Sequence, residues 1–384
     1  MKIALVWNHP SRLLDCSFRF EQYIAGFRTL GHQPVVVCDR ASAEGFDGPL
    51  AVAESAESFE RVQFWRELEA QVAVVVTWHR MAAVLAAIRQ AGSRVISIAD
   101  TDGQIGLRVY PWRSLERMLV YQDSWPERLR CVKYWLTRFL TDGARGSPED
   151  REFVASTRNS DAVILGNALA KERFRKYLSR QGERALDQRV FVVPFTIGES
   201  LLSCPVPEVK DNRIVAIGRW DDPQKHAALL AAALERFLSG GTATEVTICG
   251  RGGERWFAPL AQRFAGLRYV GVQHQAAVAR QLSAARAIVF SSRWEGSPHA
   301  GLEALALGAT LVGTSIPSLE SWTHGGLFGT VAPSRRPRAL ARALEEEMRA
   351  WDEGRRDPTE ISRHWRSRLA PEAVCGQMLA ALAG

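Results

Sequence analysis

Short apolar runs alternate with segments of helical periodicity along most of the chain. In the first half, residues 2–7, 35–38 and 72–76 form apolar runs of four to six residues, the length of buried strands. Residues 18–30 place apolar side chains at helical spacing between the first two runs, and a glycine follows as a helix stop. Strand, helix and strand in this order predict βαβ units and a parallel sheet.

The second half of the chain repeats this pattern. Its apolar runs at 213–217, 245–249, 268–270, 287–290 and 310–313 alternate with helical segments at 227–238, 276–285 and 337–351. A chain of 384 residues exceeds the usual size of one domain. We therefore predict an α/β fold with two domains, 1–202 and 213–360. The proline-containing segment 203–212 is predicted as the linker between them, and 361–384 as a terminal helical segment.

The most informative stretch is 287–311, AIVFSSRWEGSPHAGLEALALGATL. Its apolar strand leads into a polar loop, and a helical pattern follows at once. We predict Ser297 as the N-cap residue and Pro298 as the first helical residue, where the missing N–H costs nothing. Gly308 is predicted to end this helix. The stretch therefore predicts a strand, a loop and a helix start at one edge of a sheet.

The start of this predicted helix is suited to an anion. The first turn of a helix leaves backbone amides without internal partners, so we expect His299, Ala300 and Gly301 to bind a phosphate. Gly301 has no side chain that would keep a phosphate away. Glu295 and Glu303 flank the amides, and carboxylates beside a phosphate are best explained by hydroxyl groups that they bind. The pattern predicts a site for a diphosphate joined to sugars.

Two basic residues follow the strand predicted at 213–217. Arg219 and Lys225 lie six positions apart before a helical run, where a guanidinium and an ammonium can hold a diphosphate together. Negative charge grows on the leaving phosphate as the bond to the sugar breaks, so such a pair stabilises the transition state most. Alone, the pair is weak evidence, because the chain has 49 Lys and Arg residues.

The two motifs together resemble a known family. The spacing E-G-x-P-x-x-x-L-E-A-x-A-x-G from Glu295 to Gly308, with G-R-x5-K from Gly218 to Lys225, resembles the retaining GT-B glycosyltransferases, especially glycosyltransferase family 4. The resemblance implies two Rossmann-like domains that face each other across a cleft, with the donor held by the second. It also implies a terminal segment that crosses back to the first domain.

The resemblance implies an activity as well. It is transfer of a hexose from a nucleotide diphosphate sugar, with UDP-sugar favoured, to an acceptor hydroxyl with retention. The leaving phosphate itself takes the acceptor proton, and no metal or cofactor is needed. Glu295 is expected to bind the transferred sugar and Glu303 the ribose, while Arg219 and Lys225 hold the diphosphate. The remaining expected donor contacts are Ser297, His299, Ala300, Gly301, Leu302, Gly218, Gly250, Val272 and Gln273.

The acceptor side resembles the family less closely. Asp100 and His79 follow predicted strands, where ligands of parallel α/β sheets bind, and we predict catalytic roles for both. His9 follows the first strand in the same way. The family often has a Gly-Gly loop and a histidine in this domain, whereas this chain has 14-LDCSFR-19 and Asp100. Two alternatives therefore stay open: a catalytically degenerate GT-B module that binds a nucleotide sugar or a protein, and a GT-B nucleotide-sugar epimerase.

Residues 108–147 combine aromatic, apolar and basic side chains. A helix predicted at 127–141 has an apolar face, with basic residues interspersed. The face consists of Leu129, Val132, Leu136, Phe139 and Leu140, and the basic residues are Arg130, Lys133 and Arg138. Three interpretations are open: a helix that faces the core, an interfacial helix on an anionic membrane, and a surface for nucleic acid.

The net charge and the composition limit the classes of partner that the protein can bind. A net charge of +7 and a pI of about 9.3 favour acidic partners, of which a nucleotide sugar fits the motifs and nucleic acid is unlikely. The six cysteines form no C-x-x-C pair, and the N-terminal apolar run is too short for a signal peptide. No run approaches the ~20 apolar residues of a spanning helix. We expect a bacterial cytoplasmic protein, at most peripheral at the inner membrane face, whose acceptor the sequence does not identify.

Overall fold

The chain forms two compact units. The computed structural model describes residues 1–7, 17–44, 46–77, 81–142 and 147–383, without the side chains of 17–19. The first unit comprises Met1–Gly198 and the C-terminal residues from Ala370 onwards, and the second comprises Glu199–Leu369.

The first unit is a parallel sheet covered by helices. Its described strands lie in the order β3-β2-β1-β4-β5-β6-β7, and every neighbouring pair is parallel. The strands are β1 (Lys2–Val6), β2 (Gln33–Asp39), β3 (Leu50–Ala53), β4 (Val72–Val76), β5 (Arg94–Ile98), β6 (Ala162–Leu165) and β7 (Val190–Val192). The helices are α1 (Ser17–Thr29), α2 (Val62–Leu68), α3 (Ala82–Gln90), α4 (Pro111–Leu119), α5 (Trp125–Thr141), α6 (Pro148–Arg158) and α7 (Ala168–Arg180).

The second unit repeats the architecture with a second parallel sheet. Its described strands lie in the order β10-β9-β8-β11-β12-β13. The strands are β8 (Asp211–Ile217), β9 (Glu245–Cys249), β10 (Leu267–Gly271), β11 (Ala285–Phe290), β12 (Thr310–Thr314) and β13 (Gly329–Ala332). The helices are α8 (Glu199–Leu202), α9 (Ala227–Ser239), α10 (Glu254–Arg263), α11 (Gln275–Ala284), α12 (His299–Ala306), α13 (Pro317–Trp322), α14 (Pro337–Asp352) and α15 (Pro358–Leu369). The last helix of the chain, α16 (Pro371–Ala380), packs on α1 in the first unit.

The strand order fixes where a ligand can bind in the second unit. Chain order runs outward from β8 to β10 on one side of the sheet and from β11 to β13 on the other, so β8 and β11 are neighbours at the switch point. Ligands of open α/β sheets bind outside the carboxyl ends of the strands at such a point. The loops after β8 and β11 carry Lys225 and Glu295, so the topology brings the two predicted motifs together.

Two sequence expectations are wrong in detail. The terminal segment 361–384 was expected to be helical without a break, but it contains the end of α15 and a separate helix, α16. Pro371 begins α16 and cannot continue the preceding helix, because it has no N–H and its ring disfavours helical backbone before it. The interpretation of residues 127–141 as a core-facing helix is also wrong: Trp135 is the buried residue of α5, while Leu129 and Leu136 are about half exposed.

A buried lysine ties the start of the second sheet to its helices. Lys210, just before β8, is 4% exposed, and its ammonium donates to the carbonyl oxygens of Ser283 and Leu307 at 2.5 Å. Burial lowers the pKa of Lys210 to about 7. A neutral amine can still donate both hydrogen bonds, which suits two carbonyl acceptors and no carboxylate.

This lysine predicts a pH dependence of stability. Between pH 7 and pH 9 the unfolded chain keeps a proton on Lys210 that the folded protein releases, so stability rises with pH. We expect Lys210→Met to remove about 1–3 kcal/mol of that rise, measured by urea unfolding at both pH values. The exposed Lys133→Met is the control, and equal slopes for wild type and Lys210→Met would contradict the assignment.

Candidate functional site

A lysine and a glutamate from separate loops meet at the switch point of the second sheet. Lys225 ends a short 3₁₀ turn after β8, and Glu295 lies in the loop after β11. The Lys225 ammonium donates to Oε1 of Glu295 at 2.5 Å, and both side chains are largely buried. The structure thus joins one residue of the predicted diphosphate clamp to the residue predicted to bind the sugar.

Neighbouring polar groups hold this pair in place, and sequence reasoning missed them. Ser292 donates to Oε1 of Glu295 at 2.7 Å, and the Gln224 amide donates to Oε2 at 3.3 Å. Ser291 donates to the Lys225 carbonyl at 2.6 Å, and the Arg293 amide donates to the Gln224 carbonyl at 2.8 Å. The signal was present: two serines directly follow a buried strand at the switch point. These bonds preorganise the pair before a ligand arrives.

The second residue of the predicted clamp is placed differently. The Arg219 side chain is 61% exposed and donates to Asp222 Oδ2 at 3.0 Å. Oδ1 of Asp222 accepts from the backbone N–H of Gln224 and so caps the 3₁₀ turn. Arg219 is therefore on the outer side of the turn that ends at Lys225. An exposed guanidinium is free to reorient, whereas the Lys225 ammonium is fixed by Glu295.

Helix α12 begins one residue later than predicted. Pro298 is its N-cap residue, with φ −65° and ψ 108°, so the expectation that Ser297 caps the helix is wrong. The Ser297 hydroxyl is buried and has no hydrogen-bond partner among the residues that the structure describes. A proline at the N-cap position provides no side-chain acceptor for the first-turn amides. The amide of Ala300 precedes the first intrahelical bonds and lies in a partly exposed residue, as an anion site requires.

Gly301 has a different role from the one predicted. Its amide donates to the Pro298 carbonyl at 2.9 Å, so it is not a free donor in this structure. A Cβ at Gly301 would lie 3.4 Å from the rings of Phe290 and Trp322. The missing side chain therefore faces the aromatic interior rather than a phosphate. Leu302, whose backbone amide was also predicted as a donor, has a fully buried side chain, and the contact of its amide stays a prediction.

This orientation of Gly301 gives a testable result. We expect Gly301→Ala to keep the donor affinity unchanged and to change the free energy of unfolding by less than about 1 kcal/mol, since the methyl makes ordinary contacts and alanine favours helix. Gly313→Ala is the contrast, because its Cβ would lie 2.7 Å from the Phe290 carbonyl oxygen and must destabilise. Nucleotide titration calorimetry and urea unfolding measure both effects. A large loss of donor affinity in Gly301→Ala would place the phosphate against this glycine after all.

The Glu303 carboxylate has no partner among the described residues. It lies one turn into α12, partly exposed, and none of those residues makes a hydrogen bond or an ion pair with its side chain. Burial raises the pKa of Glu303 to about 7. A largely buried carboxylate that has no donor in the described part of the chain is suited to accept hydrogen bonds from a ligand's hydroxyl groups.

The other predicted donor contacts lie just after β8, β9 and β10. Gly250 follows β9 with φ +119°, and a Cβ there would lie 1.8 Å from the Gly218 carbonyl oxygen, so only glycine permits this approach of two backbones. The Gly250 amide donates to the Gly271 carbonyl at 2.7 Å. Val272 is 72% exposed after β10, and the Gln273 amide side chain donates to the Val270 carbonyl at 2.7 Å. These residues line the same edge of the sheet, at the carboxyl ends of β8, β9 and β10.

The predicted acceptor residues belong to the first unit. Asp100 follows β5 and lines a pocket of about 570 Å³, together with Thr77, Gln104, Arg117 and Tyr134. Beside it, buried Asp102 accepts from the Arg117 guanidinium at 2.6 Å. His79 and His9 lie outside the described residues. The pocket lies after a strand of the first unit, where the acceptor was predicted to bind. The catalytic role of Asp100 stays a prediction.

Neither a metal-ligand cluster nor a membrane-spanning helix is present in the described part of the chain. Among the described residues, no group of three or more His, Cys, Asp or Glu side chains is arranged to hold a metal ion, and independence from a metal or cofactor stays a prediction. Within the same part of the chain, none of the helices has both the length and the apolar character needed to cross a bilayer.

Comparison with known proteins points to one class. Residues 211–349 match the family model "Glycosyl transferases group 1". A stretch of 146 residues is 28% identical to the phosphatidyl-myo-inositol mannosyltransferase of Mycolicibacterium smegmatis, a match that covers 36% of this chain and 37% of that protein. The chain thus matches little more than a third of the length of this curated relative.

Solved structures resemble the chain over its full length. HepE of Anabaena, crystallised in complex with UDP, superposes with a TM-score of 0.67 at 13% identity, covering all of both chains. The lipopolysaccharide outer core galactosyltransferase WaaB superposes with a TM-score of 0.62 at 14% identity over 100% of this chain and 99% of that one. Sucrose-phosphate synthase from Thermosynechococcus elongatus superposes with a TM-score of 0.62 at 15% identity over 99% of this chain and 98% of that one. The predicted fold class is confirmed: this is a GT-B fold of two Rossmann-like units, and its second unit carries the glycosyltransferase match.

Proposed function

We propose that this chain is a retaining glycosyltransferase of family 4 type that moves a hexose from a nucleotide diphosphate sugar, with a UDP-sugar favoured, to an acceptor hydroxyl. The observation that carries the proposal is the meeting of Lys225 and Glu295 at 2.5 Å beside the start of α12. A cation for the leaving phosphate and a carboxylate for the sugar hydroxyls must be adjacent, because the phosphate and the sugar are joined by the bond that breaks.

Each group would have a distinct task in this reaction. The Lys225 ammonium and the first amides of α12 stabilise charge that grows on the leaving diphosphate, which lowers the barrier more than it tightens substrate binding. The exposed Arg219 guanidinium binds the diphosphate from the solvent side. Glu303 accepts hydrogen bonds from the ribose hydroxyls. The phosphate oxygen that leaves the sugar takes the acceptor proton, so a protein nucleophile and a metal are not required.

Proteins of the same fold suggest which nucleotide to test first. Structures of HepE of Anabaena were determined with UDP, with UDP and glucose, and with UDP-glucose. The curated relative is named a mannosyltransferase, which supports a hexose donor. We place UDP-hexoses first among donors and GDP-mannose next.

The reaction itself can be tested with a panel of nucleotide sugars. We expect thermal-shift screening to select a UDP-hexose, and incubation with that donor to release UDP slowly in water and faster with an acceptor hydroxyl. The anomeric configuration of the glycoside, determined by NMR, should match that of the donor. An inverted product would contradict retention, and an epimerised sugar without an acceptor would identify an epimerase. Donor binding without any turnover would identify a degenerate binding module.

A further inference from the structure

Helix α5 exposes a continuous apolar stripe to solvent. Its five members are spaced three or four residues apart, so they share one face of the helix. They are Trp125, Leu129, Val132, Leu136 and Leu140, with exposed fractions of 70, 52, 38, 47 and 69%. Large apolar side chains side by side in water mark an interaction surface rather than ordinary surface scatter.

This stripe is not the core face of a loosely packed helix. A neighbouring face anchors α5 to α4, where Trp135 stacks between Trp112, at a centroid distance of 6.0 Å, and Phe139, at 5.3 Å. Trp135 is only 9% exposed, so α5 already packs against α4 through this residue. Trp112 itself is 76% exposed and extends the apolar surface onto α4. The stripe therefore needs an external partner.

Basic side chains border the apolar stripe. Residues 108–142 contain seven Arg and Lys residues and four Asp and Glu residues, a net charge of +3. Arg113, Arg117 and Arg138 are paired with Glu116, Asp102 and Asp142 within the protein. The exposed Arg130 and Lys133 have no ion pair among the described residues. Their positive charges remain available to an anionic partner.

We propose that helix α5 lies in the interface of an anionic lipid bilayer, with the stripe from Trp125 to Leu140 inserted among the acyl chains and Arg130 and Lys133 at the phosphate level. Apolar side chains flanked by cations and by tryptophans are the composition of an interfacial helix. A nucleic acid offers little to three exposed leucines and a valine. A two-fold contact between copies of this chain would bring the same cations face to face. The proposal does not depend on the reaction proposed above.

Vesicle binding of the full chain tests this proposal. The wild type should cosediment with vesicles of phosphatidylcholine and phosphatidylglycerol and bind much less to phosphatidylcholine alone. Leu129→Glu/Leu136→Glu should lower the partition coefficient at least about tenfold, because two charges replace inserted leucines. The matched control is Val209→Glu/Leu327→Glu, which adds the same charge at exposed apolar residues of the second unit.

The charge contribution is tested separately. Arg130→Gln/Lys133→Gln should lower binding to anionic vesicles by about fivefold per cation removed, and added salt should reduce the difference. Arg338→Gln/Arg342→Gln, two exposed arginines of α14, is the matched control. Far-ultraviolet circular dichroism and nucleotide affinity verify that every variant is folded.

Several outcomes would overturn the proposal. The first is that the wild type does not bind vesicles, and the second is that the stripe and control variants lose vesicle binding equally. The third is that the protein forms a dimer without lipid and that the stripe variant dissociates it. The fourth is that the wild type binds single-stranded oligonucleotides as tightly as vesicles and that the stripe variant abolishes this binding. Binding to anionic vesicles that only the stripe and cation variants lose would support it, whatever the transfer assays show.

Discussion

Replacing Lys225 by methionine is expected to lower the turnover of a nucleotide diphosphate hexose by about 10²–10³-fold. Methionine fills the same narrow space but removes the charge that faces the leaving phosphate. Because that charge acts mainly in the transition state, kcat and kcat/KM should fall together, while KM changes little. Initial rates of UDP release over a range of donor concentrations measure both constants.

The partner of Lys225 provides the matched variants. Among the described residues, Lys225→Met leaves Ser292 and Gln224 as the donors to Glu295, so part of any loss could come from a buried carboxylate that has lost its cation. The double variant Lys225→Met/Glu295→Gln removes that unpaired charge and should regain stability without regaining activity. Arg338→Gln on α14 is the control for a lost surface charge. A kcat within threefold of wild type in Lys225→Met would exclude this lysine from the reaction.

Glu303→Gln is expected to weaken binding of a UDP-hexose by about 10–100-fold, because a charged acceptor of ribose hydroxyls becomes a neutral one. In the wild type the dissociation constant should itself depend on pH. With the pKa of Glu303 raised to about 7, the carboxyl is largely protonated at pH 6 and must release its proton to accept both hydroxyls. Affinity should therefore fall about tenfold from pH 8 to pH 6.

Titration calorimetry in buffers of different ionisation enthalpy gives a second readout for Glu303. At pH 6 the wild type should release up to one proton on binding the donor, whereas Glu303→Gln should release none and show a flat affinity. A UDP-hexose is the right ligand, because its esterified diphosphate has no proton to lose in this range. The assignment fails if the wild type shows no dependence on pH, or if the glutamine variant keeps it.

The sequence predicted the parts of the fold that depend on local pattern. The strands β4 and β9 were placed with their correct ends, because apolar residues predominate in each and polar residues or glycine flank them. The strands β3 and β13 were missed: each has only four residues, which is too short for a distinctive apolar run or alternation. The break before α16 was missed, although Pro371 marks it.

The candidate site was predictable in its residues and less so in its geometry. The family resemblance identified Lys225 and Glu295, but their ion pair follows from strand order, which is a non-local property. Ser297 was predicted as a cap from its residue type, yet the chain turns one residue later, at Pro298. The exposure of α5 could not be predicted, since an amphipathic pattern is the same whether its apolar face meets a core or a membrane.

A crystal structure of the chain with a bound UDP-hexose would show whether this site holds the diphosphate. Both phosphorus atoms should lie between the Lys225 ammonium and the first amides of α12, with phosphate oxygens within about 3 Å of each, and the ribose hydroxyls should contact Glu303. A diphosphate bound anywhere else, or a sugar that leaves Glu295 without contact, would contradict this prediction.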